Sequence, residues 1–239
     1  MRFIIALAMA GVFVSVDGAA SVARKSANGL RTIKLPAGAD EHDYVDAAKL
    51  SMRSAVRMAM KRAPGVLLWA GLEDLDGFLF YAVQTAGKGG KLSMVTLDAG
   101  TGAVQGVQSR TRAQEALEAA REAADDAKKA KADPNSEEAR KAREGAAARE
   151  NPRAPAFHSS VVIAADAGGA ALAASPRIPA DRAIGAALAK WPGRISTISL
   201  AQDQGNVYFA VTVKSADGKL TLVAVDAGNA SILGTQEGG

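Results

Sequence analysis

The sequence predicts an α+β fold made of two repeated units, each a helix packed on an antiparallel sheet. Three observations carry that expectation. The chain repeats itself without a gap: with Pro64-Gly65 laid on Pro192-Gly193, the offset is 128 residues. Leu72 then meets Leu200, Gly77 meets Gly205, Ala82-Val83 meets Ala210-Val211, Gly90-Lys91-Leu92 meets Gly218-Lys219-Leu220, and Asp98-Ala99-Gly100 meets Asp226-Ala227-Gly228. Self-similarity at a fixed offset marks a repeated supersecondary unit. Within each copy the apolar period switches from helical to alternating at the Pro-Gly pair. Between the copies lies a charged, alanine-rich stretch that resembles neither.

The elements follow in chain order. Arg2 precedes an uncharged apolar run from Phe3 to Val16, and Ser21-Val22-Ala23 places small residues at a cleavage position. Residues 1–23 are therefore expected to be a signal peptide, because the run is short for a membrane span. A secreted or periplasmic protein is implied, with no transmembrane span after cleavage. The first unit is expected over residues 30–107. Met52, Ala55, Val56, Ala59, Met60 and Ala63 recur at helical spacing, and Pro64-Gly65 stops the helix. Strands are predicted over Leu67–Leu72, Phe78–Thr85, Leu92–Leu97 and Ala103–Val107, with turns at Asp76-Gly77 and Gly87–Gly90. Residues 109–153 read as a solvated helical hairpin or spacer, rich in Ala, Glu, Lys and Arg with little large apolar surface. The second unit is expected over residues 158–235. Its helix carries Ile184, Ala187, Leu188 and Trp191 on one face, and Pro179 suits a helix start. Its strands are Ile195–Leu200, Val207–Val213, Leu220–Val225 and Ser231–Leu233. A further strand is expected ahead of each helix, at Arg31–Leu35 and Ser159–Ile163.

Composition excludes several classes. The chain has no cysteine, so disulfides, thiolate metal sites and cysteine nucleophiles are ruled out. Net charge is +4, from 29 basic and 25 acidic residues spread along the chain. No concentrated footprint for nucleic acid follows. Aromatics are 5% of residues, so the core must be small and aliphatic.

The repeated residues also resemble a known family. Ile178–Ile184, Trp191-Pro192-Gly193, Tyr208–Val213, Asp217-Gly218-Lys219 and Val225–Gly228 run in the order seen in the PepSY domain. The first copy keeps Ala63-Pro64-Gly65, Phe80–Val83 and Leu97–Gly102. The resemblance implies a non-catalytic module of exported or membrane-attached proteins that binds a peptide or protein, with restraint of a peptidase as one form. The second copy departs from the pattern at Asn229-Ala230, where the usual ending is Thr-Gly.

Candidate chemistry is sparse. Asp40, Glu41, His42, Asp43 and Asp46 could hold a divalent cation, or be a polar stretch whose acids suit a helix N-terminus. No metal and no cofactor is expected, since one imidazole is a poor ligand set. Asp98 and Asp226 invite comparison with a catalytic dyad, but each precedes Ala-Gly, where a carboxylate bonds its own turn. No nucleophile elbow or zinc-binding helix motif is present, and an enzyme is not expected. Lys49, Arg53, Arg57 and Lys61 are spaced by four and make one basic stripe if their helix is continuous. That stripe is either a solvated face or a docking strip for an acidic partner or anionic polymer. Trp69, Phe78, Phe80 and Tyr81 alternate across adjacent strands, so one subset packs under the helix and the other forms an aromatic patch. These eight residues are the expected partner-binding set. The alternative is a structural envelope protein without a ligand, using the 109–153 insert as spacer or oligomerisation element.

Overall fold

The computed structural model describes residues 31–111 and 157–237; the predicted signal peptide and nearly all of the predicted insert lie outside them. In chain order the elements are α1 (Glu41–Ala47), α2 (Met52–Arg62), β1 (Val66–Leu75), β2 (Phe78–Ala86), β3 (Lys91–Asp98) and β4 (Val104–Thr111). They continue with α3 (Gly169–Ala174), α4 (Ala180–Lys190), β5 (Arg194–Asp203), β6 (Asn206–Lys214), β7 (Leu220–Asp226) and β8 (Ile232–Glu237). The fold is α+β, as expected, but the strands form one eight-stranded antiparallel sheet in the order β4-β3-β2-β1-β5-β6-β7-β8. Two separate sheets are thus replaced by one. The cause is the pairing of β1 with β5, Trp69 to Ser199, Ala70 to Ile198 and Gly71 to Thr197.

Local chemistry explains the elements. Ser51 caps α2 by accepting from the Ser54 amide, and Lys61 and Arg62 occupy its last turn, where cations favour the helix dipole. Ala55, Val56 and Ala59 on its inner face are buried. α4 starts after Pro179 and buries Ala180, Ala183, Ile184 and Ala187. Small alanines on both inner faces let the helices lie close to the sheet, whose Val83, Val95, Val211 and Val223 are fully buried beneath them. One apolar core contains residues from both halves of the chain. Apolar burial of this kind is the main favourable term in folding.

The β1–β2 turn has Asp76 at φ 55 and Gly77 at φ 77, and the β5–β6 turn has Gln204 at φ 48 and Gly205 at φ 83. Two successive left-handed residues make the tight hairpin turn that matches strand twist. Irregularities interrupt β1 between Leu67 and Trp69 and β5 between Ile195 and Thr197. The strands expected at Arg31–Leu35 and Ser159–Ile163 are reduced to single bridges, Lys34 to Phe78 and Val162 to Asn206. Each segment instead runs over the β-hairpin end, held by a few backbone bonds such as Leu35 N to Gly77 O at 2.8 Å.

Candidate functional site

The basic stripe is broken by a cap. Ser51 ends the extended segment before α2, so Lys49 lies outside the helix, and its amide donates to the Ala99 carbonyl at 3.1 Å. Lys49, Arg57 and Lys61 are exposed. Arg53 and Arg57 reach across to the second half. Arg53 Nε lies 3.0 Å from Asp181 Oδ1, and an Arg57 guanidinium nitrogen lies 3.1 Å from the same oxygen. Arg53 also donates to the Asp181 carbonyl at 3.1 Å. Two of the four stripe residues therefore hold the helix layer together. Arg53 and Arg57 are thus not simply a solvated face.

The second half adds Arg177, the counterpart of Lys49, and two cations off the spacing by four, Arg182 and Lys190. Arg177, Arg182 and Lys190 are exposed on or just before α4. Arg182 lies two residues from buried Ala180 and so on the outward face of the helix. That phase is visible in the sequence once the buried face is assigned, but Arg182 does not fall on a counterpart of the stripe. Together α2, α4 and the residues leading into them carry Lys49, Arg53, Arg57, Lys61, Arg62, Arg177, Arg182 and Lys190. Asp181 is their one carboxylate. Among the described residues, Lys49, Lys61, Arg62, Arg177 and Arg182 have no carboxylate within ion-pair distance. Lys190 sits over the Trp191 ring, 5.0 Å from its centroid.

The aromatic set divides differently from the expected patch. Tyr81 is buried on the helix side of the sheet, and its hydroxyl donates to the Leu50 carbonyl at 2.6 Å. Burial pushes that hydroxyl up to about 12. Phe80 is buried on the opposite face with Leu75, and Phe78 packs against them. The Arg31 guanidinium lies 5.6 Å from the Phe78 ring centroid. Trp69 is half-buried along its own strand, where a Cβ on Gly71 would strike its ring at 2.4 Å. Phe80 and Tyr81 are thus core residues, because both faces of β2 are buried along nearly its whole length. They offer no surface to a partner.

The acidic cluster around His42 is a helix start. Asp40 caps α1 by accepting from the His42 and Asp43 amides at 2.9 and 3.1 Å, and Asp43 returns the bond to the Asp40 amide. This is a reciprocal capping box. The Asp43 amide bond, ahead of a small opposing burial effect, lowers the Asp40 carboxyl below its ordinary range. Asp46 pairs with Lys214 at 2.7 Å, and the same ammonium donates to the His42 carbonyl at 2.9 Å. Among the described residues no group of three or more His, Asp or Glu is placed to hold a metal ion.

Asp98 and Asp226 are buried turn anchors on β3 and β7. Asp98 accepts from the Thr32 amide and hydroxyl at 2.9 and 2.6 Å, and from the Gly100 and Thr101 amides at 3.1 and 2.8 Å. Asp226 accepts from the Ser160 amide and hydroxyl, both at 2.6 Å, and from the Gly228 and Asn229 amides at 2.6 and 3.1 Å. Burial acts to raise both carboxyls, but these donors outweigh it and hold both below the ordinary value of 3.8. The two strands stand five places apart in the sheet, roughly 24 Å at the usual strand spacing. They cannot share a proton or a substrate atom.

No family model matches the chain, and no curated protein matches it. Among solved structures, 83% of the chain aligns with the whole of a candidate lipoprotein from Clostridium difficile 630, at 14% identity and a TM-score of 0.36. A likeness this slight carries no inference about the present chain. Among the described residues no helix is long and apolar enough to cross a membrane.

Proposed function

We propose that the chain is an exported, non-catalytic, PepSY-like protein that binds an acidic segment of a peptide or protein partner. The contact surface is the outer face of α2 and α4. One observation carries the reading: the helix pair and the residues leading into it carry eight cations and a single carboxylate, which two arginines already share. A surplus of one sign on one surface speeds encounter with an opposite partner and selects its charge. A non-catalytic role is supported by the use of Asp98 and Asp226 as turn anchors. Export is supported by Arg2, the apolar run Phe3–Val16 and the small residues Ser21-Val22-Ala23. Restraint of a peptidase would be one form of this binding, as the family resemblance implies.

A duplicated unit is supported by the limits of the elements. α2 and α4, β1 and β5, and β2 and β6 begin and end at one offset, 128 residues.

The test must leave Arg53 and Arg57 in place, since they hold Asp181. The variant Lys49→Glu/Lys61→Glu/Arg182→Glu should keep the wild-type melting temperature within a few degrees, because surface changes away from packing cost about 0.5 kcal/mol or less each. Its binding to a fluorescent polyglutamate peptide, read by anisotropy at low salt, should weaken on the order of tenfold or more. Wild-type binding should itself fade as salt is raised. Equal affinity of wild type and variant at low salt would remove the helix pair as the contact surface.

A further inference from the structure

The centre of the sheet is self-opposed. Counterparts in the two halves stand 128 residues apart. Across the β1–β5 seam, Ala70 faces Ile198, its own counterpart. Trp69 faces Ser199, the counterpart of Gly71, and Gly71 faces Thr197, the counterpart of Trp69. The halves therefore meet about a local two-fold axis, as two copies of one chain meet in an isologous dimer. Elements cross the seam as well: α1 packs on β5 and α3 packs on β1.

The same relation holds in the helix layer. α2 packs on α4, and there position 53 meets position 181, again its own counterpart. On the axis of an isologous interface a residue faces itself, so a charge at that place repels its copy. Here the two places hold opposite charges, Arg53 and Asp181. Arg57 adds a second cation on the same carboxylate. Its counterpart, Gly185, carries no side chain, and a Cβ there would come within 2.8 Å of an Arg53 guanidinium nitrogen. The first half thus presents two arginines where the second presents an aspartate and an empty shelf.

We infer that Arg53–Asp181 is a charge key at the seam. It makes a first half pair with a second half and turns away like halves, including those of a second copy of this chain. Pairing two first halves would bring four arginines together, and pairing two second halves would oppose two aspartates. The strand register alone distinguishes none of these combinations, because it is symmetric. The inference uses the offset and the seam, and it stands whether or not the helix surface binds an acidic partner.

The test uses the full chain with Arg53→Asp, Asp181→Arg and the double exchange. Each is followed by urea unfolding and by light scattering over a concentration series. Asp181→Arg should lose the most, because it leaves three arginines together. Arg53→Asp should lose less, because Arg57 still holds Asp181. Midpoint shifts of at least a few tenths of a molar urea are expected from a half-buried ion pair of this kind. The double exchange should recover most of the loss at low salt, and 1 M salt should narrow all the differences. Asp181→Arg should also associate more than wild type at equal concentration, since its intrachain seam no longer has an advantage. A double exchange that stays at the Asp181→Arg midpoint would overturn the key, leaving Arg53 to act through packing and its bond to the Asp181 carbonyl. So would an Asp181→Arg variant whose mass matches wild type at every concentration.

Discussion

Asp98 and Asp226 do the same work in the two halves. Each closes its own turn and clamps the incoming segment through a hydroxyl residue, Thr32 or Ser160. Replacing Asp98 with alanine leaves several part-buried donors without their common acceptor, which costs about 1–3 kcal/mol in total. The pH dependence follows from the lowered carboxyls. Their stabilisation is complete above the ordinary value of 3.8 and is lost as pH falls through the lower folded values. Thermal melts should therefore show an acid limb below about pH 4, and Asp98→Ala should reduce its steepness as well as the plateau. An unchanged limb would mean that Asp98 titrates alike in the folded and unfolded chain. This role was legible in the sequence, since an aspartate before Ala-Gly bonds its own turn. The clamp on Thr32 and Ser160 was not, because it joins residues 66 apart.

At the scale of elements, strong periodicity was read well and short elements poorly. α2 and α4 fill three turns with a repeating apolar face, and their limits agree with the expected helices to within a residue. α1 has seven residues and α3 has six, too few for periodicity to stand out from a polar stretch. Asp40 and Asp43 were legible as acids suited to a helix N-terminus rather than to a metal, and they cap α1, though α1 itself was not expected. The turn after β7 shows a local rule broken. Gly102 follows β3 at φ 77, and its counterpart Ala230 follows β7 at φ 70. A Cβ in the left-handed region costs roughly 1–2 kcal/mol, while glycine costs about 0.4–1 kcal/mol through the unfolded chain. Ala230→Gly should therefore stabilise the protein by up to about 1 kcal/mol, read as a higher urea midpoint with an unchanged slope. A lower midpoint would show that the Ala230 methyl, which packs against the core, contributes more than the strain removes.

The whole molecule is where the sequence misled. Two repeated units suggested two sheets, because the strand that joins the halves looks like any other alternating strand. Nothing local marks β1 as central rather than as an edge, and its partner in β5 lies 128 residues away. The joined sheet and the common core imply one cooperative unit. The seam itself is narrow, with three paired residues on each side, so cooperativity must come from the shared core and from α1 and α3 crossing it. The chain supplies its own reporters. It has two tryptophans, Trp69 in the first half and Trp191 in the second. In Trp69→Phe the fluorescence reports on Trp191, and in Trp191→Phe it reports on Trp69. For each variant the midpoint from fluorescence should equal the midpoint from far-ultraviolet circular dichroism, as two-state unfolding requires. The two variants are compared each with itself, so a loss of stability from removing either ring does not disturb the result. If the halves unfold independently, fluorescence will follow one half while circular dichroism averages both, and the two curves will separate.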